Sequence, residues 1–230
     1  MPKFSSFNAF GSESIETNQS HMPIWLGVVG PVPVGGTLDK AYAKPGFLLG
    51  AGAPVNLTDK IITPFIAWKV VSTSTADSNT IIKVEAAEFG GAEIIPAEGD
   101  FVQKVGATFA ATGKATAVAS VEALTGDDAG KYNITVATAN IDSVSAGNYL
   151  AISAATAAGT GKSLKAQPNG YLYNDIYFGN LGGSANDYTL AATGAVVMFH
   201  HDGLLVELTP SAPFKDAMKA AVPNVLQVLV

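Results

Sequence analysis

The chain has 230 residues, of which 48% are apolar and only 14% charged, and its formal net charge is -6. That is long enough to bury a sizeable core and too apolar for a disordered chain. All 13 basic residues are lysine; without arginine, the favoured fork for phosphate and guanine, an acidic chain is a poor partner for nucleic acid.

Cysteine is absent, which excludes disulfides, thiolate metal sites and cysteine nucleophiles and fits assembly in a reducing cytosol. No stretch approaches eighteen apolar residues in a row, so no signal peptide or membrane span is expected. Residues 1–22 read as an arm rich in Ser, Asn and Gln. Its Phe4, Phe7 and Phe10 are unfavourable in water unless a partner's groove receives them.

From Ile24 the chain reads as strands and turns, punctuated first by Pro31, Pro33, Gly35 and Gly36. Gly46–Val55 predicts a strand, a tight glycine bend and a return. Phe65–Val71 is apolar on both alternating faces and predicts a central, doubly covered strand. Ile82, Val84 and Ala86 alternate with Lys83 and Glu85, as Tyr132, Ile134 and Val136 do with Lys131, Asn133 and Thr135; both patterns predict half-solvated strands. These regions also echo each other. Thr80–Val84 followed by Ala97-Glu-Gly-Asp-Phe-Val matches Tyr132–Val136 followed by Ser145-Ala-Gly-Asn-Tyr-Leu, which leaves duplication and chance both open. Ala107–Ala119 and Ala151–Ala166 read as surface loops or thin edge strands.

Pro168-Asn-Gly predicts a tight turn opening an aromatic strand. Tyr171, Tyr173 and Tyr177 would share one of its faces, as core or subunit interface rather than as a ligand platform. Asp202-Gly203 predicts a two-residue hairpin between Ala195–His200 and Leu204–Leu208. Ser211 would cap a helix whose Phe214, Ala217, Met218, Ala221 and Val222 form one apolar stripe, and Pro223 would stop it. Val225, Leu226, Val228, Leu229 and Val230 make a tail too apolar to hang in water, so a neighbouring subunit is the expected contact.

Candidate chemistry is thin. Gly159-Thr-Gly-Lys-Ser163 resembles the end of a phosphate loop, but position 156 is threonine where the motif needs glycine, so a flexible glycine loop is the better reading. His200 and His201 are adjacent strand residues facing opposite ways, unsuited to one metal ion. Asp127, Asp128 and Asp100 read as solvated turn acids. The expectation is no catalytic residue, no cofactor and no metal. A glycan-active enzyme would need two facing carboxylates, and the acids are sparse.

Three segments carry a family likeness. They are Leu48-Leu-Gly-Ala-Gly-Ala-Pro-Val55, Pro168-Asn-Gly-Tyr-Leu-Tyr-Asn-Asp-Ile-Tyr177, and Gly194-Ala-Val-Val with His201-Asp-Gly-Leu-Leu-Val and Met218-Lys-Ala-Ala-Val-Pro-Asn224. Together they resemble the head-fibre proteins of tailed phages and prophages of gut Bacteroidales. Gly50 and Ala53 depart from that family's proline and threonine. The resemblance implies a non-enzymatic virion protein on the capsid surface, made in the host cytoplasm. Its partners would be the major capsid protein, further copies of itself (a trimer being the first expectation) and a host-surface glycan, with neither nucleic acid nor membrane. The rival reading is an exported adhesion module.

The expected fold is mainly β, a sandwich or barrel-like antiparallel arrangement with one short C-terminal helix and an N-terminal arm. Its divisions would be an arm (1–22), a first β region (23–115), an Ala/Thr/Gly-rich β region (116–166) and a hairpin-and-helix region (167–230).

Overall fold

A computed structural model describes residues 25–26, 34–42, 47–85, 94–173, 176–178, 193–197 and 203–228. Five strands come first: Trp25–Leu26 (β1), Val34–Leu38 (β2), Phe47–Leu49 (β3), Pro54–Thr58 (β4) and Ile61–Pro64 (β5). Ala67–Ala76 (β6), Asn79–Glu85 (β7), Phe101–Lys104 (β8), Gly113–Ala123 (β9), Lys131–Ala137 (β10) and Tyr149–Ile152 (β11) follow. Next come Gly159–Lys162 (β12), Gly170–Leu172 (β13), Ile176–Phe178 (β14), Thr193–Val197 (β15) and Gly203–Leu205 (β16). A helix at Lys215–Ala221 (α1) and a last strand at Leu226–Val228 (β17) complete the described chain. The fold is mainly β, barrel-like, with one short C-terminal helix.

Strands β6 to β11 close a six-stranded antiparallel barrel in the order β7-β6-β11-β8-β9-β10, with β10 returning to β7. The alternation read in β7 and β10 sets its inside. Ile82 lies opposite Ile134, Val70 opposite Val84, Val118 opposite Val136 and Trp68 opposite Leu150, and all eight are buried. Burying such a side chain contributes about 1.5–3 kcal/mol. Trp68 fills the interior without wasting its polar edge, because Nε1 donates to the Ile94 carbonyl at 2.7 Å.

The sequence echo is a structural two-fold. Ile82 and Ile134, the matching residues of β7 and β10, face each other directly, as do Gln103 of β8 and Ala151 of β11. Pairing of β6 with β11 at Trp68 and Leu150 is mirrored by β9 with β8 at Thr116 and Val102. Both hairpins carry a register shift at the same place, beside Val70 and beside Val118. The turns match as well: Asp100 Oδ2 accepts the Ala97 N–H at 2.8 Å, and Asn148 Oδ1 accepts the Ser145 N–H at 3.0 Å. Gly99 and Gly147 each sit at positive φ, 88° and 84°, which glycine adopts without a steric penalty.

Of Ala107–Ala119, residues 107–112 form the expected loop, but the rest is no thin edge. It belongs to β9, which hydrogen-bonds to β8, β10 and β12, and the division read at 115/116 therefore falls inside one strand. Small side chains suit this strand because the barrel's outer face is itself covered, with Ala115, Ala151 and Gln103 all buried there.

A second closed barrel has the order β13-β15-β2-β5-β4, in which β2 and β5 run parallel. Gly35 and Gly36 lie within β2 rather than in a turn. The reason is close approach: a Cβ on Gly36 would come within 2.7 Å of Leu57 Cδ1 and 2.9 Å of the Lys60 carbonyl. Strands β4 and β5 form a hairpin across Asp59 and Lys60, both at positive φ (51° and 63°). Such a turn normally signals itself with glycine, so the sequence hid it.

Among the described residues, the two strands beside the predicted Asp202-Gly203 turn do not pair with each other; residues 198–202 lie outside the described residues. Strand β15 pairs with β13 and β2, whereas β16 pairs with β1 and β17 in a separate three-stranded sheet. The barrels and α1 meet at an aromatic cluster. Phe65 stacks edge-on to Phe109 (4.8 Å between centroids) and to Phe214 (5.2 Å), and Tyr149 also meets Phe214 at 4.8 Å.

Candidate functional site

The first two segments that carry the family likeness lie more than 100 residues apart and come together in one place, with β15 of the third pairing beside them with β13. Strand β3 pairs with β14, setting Leu48 opposite Tyr177 and Leu49 opposite Ile176. The bend after β3 closes with the Ala53 N–H donating to the Gly50 carbonyl at 3.1 Å, with Gly52 at φ 77°. Gly50 and Ala53, the two departures from the family pattern, are thus the ends of one tight turn. That turn is held from both sides: Gly52 N–H donates to the Leu172 carbonyl at 2.7 Å, and Leu172 N–H to the Ala53 carbonyl at 2.9 Å. The Ser211 hydroxyl, 159 positions away, donates to the Gly52 carbonyl.

Ser211 therefore ties the C-terminal segment to this turn instead of capping the helix. It precedes a 3-10 turn at Ala212–Phe214, and α1 begins only at Lys215 with no side-chain cap. Of the predicted stripe, Phe214, Ala217, Met218 and Val222 are buried, while Ala221 is exposed at the end of the helix.

The Pro168-Asn-Gly turn is absent; the segment runs extended into β13. Asn169 is a clamp instead. Its Oδ1 accepts the Leu57 N–H at 2.8 Å and its Nδ2 donates to the Leu57 carbonyl at 3.0 Å, so one side chain imitates a strand partner for β4. Asn56 adds a bond from Nδ2 to the Gln167 carbonyl at 2.6 Å.

The expected interface residues divide. Tyr171 is fully buried within the chain, so it is a core residue, and its phenol accepts from Gln227 Nε2 at 2.8 Å. Burial, partly offset by that bond, pushes its pKa up to about 12, so it stays neutral. Tyr173 is half-buried against the core, and Val225 is buried. Leu226 is 59% exposed. Strand β17 pairs in parallel with β16, placing Val228 opposite Leu205, so the tail does pair, within its own chain. Only backbone is described for Tyr177 and Val228. Phe4, Phe7, Phe10, Leu229, Val230 and His200–Asp202 lie outside the described residues.

Gly159–Lys162 is neither a phosphate loop nor a free loop. It is β12, paired irregularly with β9, Gly159 opposite Ala115 and Lys162 opposite Gly113, and no helix follows it. Among the described residues, no group of three or more His, Asp or Glu side chains is placed to hold a metal ion. No helix among them is long and apolar enough to cross a membrane.

Asp128 is more than a solvated turn acid. It accepts from Lys83 Nζ at 2.7 Å and Lys131 Nζ at 2.8 Å, pinning the β9–β10 turn to β7. Hydrogen bonds from Lys131 and Lys83 hold its pKa down at about 2. A carboxylate depressed in the folded state stabilises above its unfolded pKa, and that contribution fades as pH falls from about 4 towards about 2. Carboxyl NMR should place the Asp128 midpoint near 2, and Lys83→Met with Lys131→Met should return it to the ordinary aspartate range. A native midpoint near 4 would show that the two bonds do not persist in solution.

Sequence reading missed the Asn169 clamp, the Ser211 tie and the Phe65–Phe109–Phe214 cluster. None has a periodic signal, because each joins positions that only the tertiary fold brings together. No family model, curated protein or solved structure matches this chain.

Proposed function

We propose that this protein is a structural component of a tailed-phage virion, a head fibre or capsid decoration protein without enzymatic activity. The observation that supports this most is the meeting of the first two head-fibre-like segments at one turn. Strands β13 and β14 of the second hold Gly50–Ala53 of the first, β15 of the third segment pairs with β13, and Ser211, which lies outside the three segments, also bonds the turn. Unrelated local folding signals have no reason to converge in this way, whereas a shared module requires it. In this reading the major capsid protein is the docking partner, and Phe4, Phe7 and Phe10 of the arm are the docking residues. Further copies of the chain and a host-surface glycan are the other partners, with Leu226 exposed for contact with a neighbouring chain.

Mass spectrometry of purified virions tests the proposal. The chain should be present at high copy, and deleting residues 1–22 should strip it from particles while leaving the folded protein intact. Absence of the intact chain from virions would remove the reading; full occupancy after the deletion would remove the arm's role.

A further inference from the structure

The six-stranded barrel is divided between its two halves in an unusual way. Residues 67–104 contribute the β6–β7 hairpin and the separate strand β8, and residues 113–152 contribute the β9–β10 hairpin and the separate strand β11. Strand β8 forms ladders only with β9 and β11, and β11 only with β6 and β8. Among the described residues, the third strand of each half is thus hydrogen-bonded only to the other half. A two-stranded hairpin is at best marginally stable alone, so neither half is self-sufficient. Each is complementary to the other about the same two-fold, through Ile82–Ile134 and Gln103–Ala151.

We propose that this barrel is an exchangeable joint between copies of the chain. Residues 67–104 of one copy close on residues 113–152 of a second, and the reciprocal pair closes likewise. The partner is a second copy of this chain, because every ladder between residues 67–104 and 113–152 is reproduced unchanged across two chains. The linker 105–112 must change course, as in domain exchange generally, which moves its buried Phe109 out of the present contact with Phe65 and Phe214. Strands β2, β4 and β5 travel with the first half and β13 and β15 with the second, so the five-stranded barrel closes across the two chains as well. Within one chain the linker gives the closed form an effective concentration of the order of 1 mM, so dilute protein stays closed and crowded protein exchanges. This goes beyond the virion reading and stands without it.

The absence of native cysteine makes the test clean. Asn79 and Ala137 lie directly opposite each other on β7 and β10, one in each half. The Asn79→Cys/Ala137→Cys chain is refolded from denaturant at about 1 mM and at about a thousandfold less, bracketing the linker's effective concentration, and then oxidised. The dilute sample should give a monomer with an internal crosslink. The concentrated sample should give a disulfide-linked dimer, in several-fold excess over the Asn79→Cys single variant.

Light scattering on the unsubstituted chain, refolded the same way, supplies a second readout that does not depend on the cysteine variant folding. It should show a species of twice the chain mass that persists for hours after dilution, because return requires opening the barrel. Monomer at both concentrations overturns the proposal. So does a dimer that dissociates promptly on dilution, which would be ordinary surface association.

Discussion

Phe65→Ala is expected to lower the unfolding free energy by about 3–5 kcal/mol, the usual cost of emptying a buried phenylalanine site. Phe65 lies between β5 and β6, where the chain passes from one barrel to the other, and its ring is edge-on to both Phe109 and Phe214. Those rings come from the β8–β9 linker and from the turn before α1, so removing Phe65 leaves a void that three separate segments would have to fill together. Edge-to-face pairs add about 0.5–1.5 kcal/mol each beyond area burial. Denaturant unfolding checks this, with Leu208→Ala as the comparison. Leu208 is 47% exposed, and its loss should cost within about 0.5 kcal/mol. A Phe65→Ala cost no larger than that would mean the cluster does not bind the barrels together.

The second large effect belongs to Asn169. Asn169→Ala leaves both the N–H and the carbonyl of Leu57 without the partners they have now, and Leu57 is buried. Each unpaired backbone group costs about 1–3 kcal/mol, so a total near 2–4 kcal/mol is expected. Asn169→Asp separates hydrogen bonding from shape. The carboxylate still accepts the Leu57 N–H but sets a negative oxygen against the Leu57 carbonyl, so at neutral pH aspartate should do no better than alanine. Below its own pKa, the protonated acid can donate and should recover part of the loss. Stability of Asn169→Asp that equals wild type at pH 7 would show that the clamp is not formed.

These two residues mark where the sequence could and could not be read. The half-solvated strands β7 and β10 were legible because a face in water and a face in the core impose a period of two on residue choice. The two-fold was legible for the same reason: matched strands and matched Gly-Asp and Gly-Asn turns face matched surroundings in each half. Strand β9 was not, because both its faces are partly covered and alanine and threonine satisfy that without alternating. Asn169-Gly170 was misread because a dipeptide that favours turns also has a side chain able to bond a distant backbone, and local sequence does not distinguish the two uses. The head-fibre-like segments were visible as motifs, but not that they touch. Tyr171 was legible as a core or interface aromatic and is core, but its bond from Gln227, far along the chain, was not.

The interleaving of the two barrels also sets an order of events during synthesis. Leu57 and its clamp Asn169 are 112 positions apart, and β2 waits for β15 before it gains its antiparallel neighbour. The six-stranded barrel, whose strands end at Ile152, has all its partners present while the five-stranded barrel still lacks β13 and β15. For that interval β2, β5 and β4 stand as a three-stranded sheet whose two outer strands, β2 and β4, have unpaired edges, the condition in which nascent β proteins are most exposed to misassociation. Closure of the five-stranded barrel is therefore a late, long-range step whose rate is governed by topology. Vectorial emergence from the ribosome favours this order, because the six-stranded barrel is complete before β13 and β15 have been made.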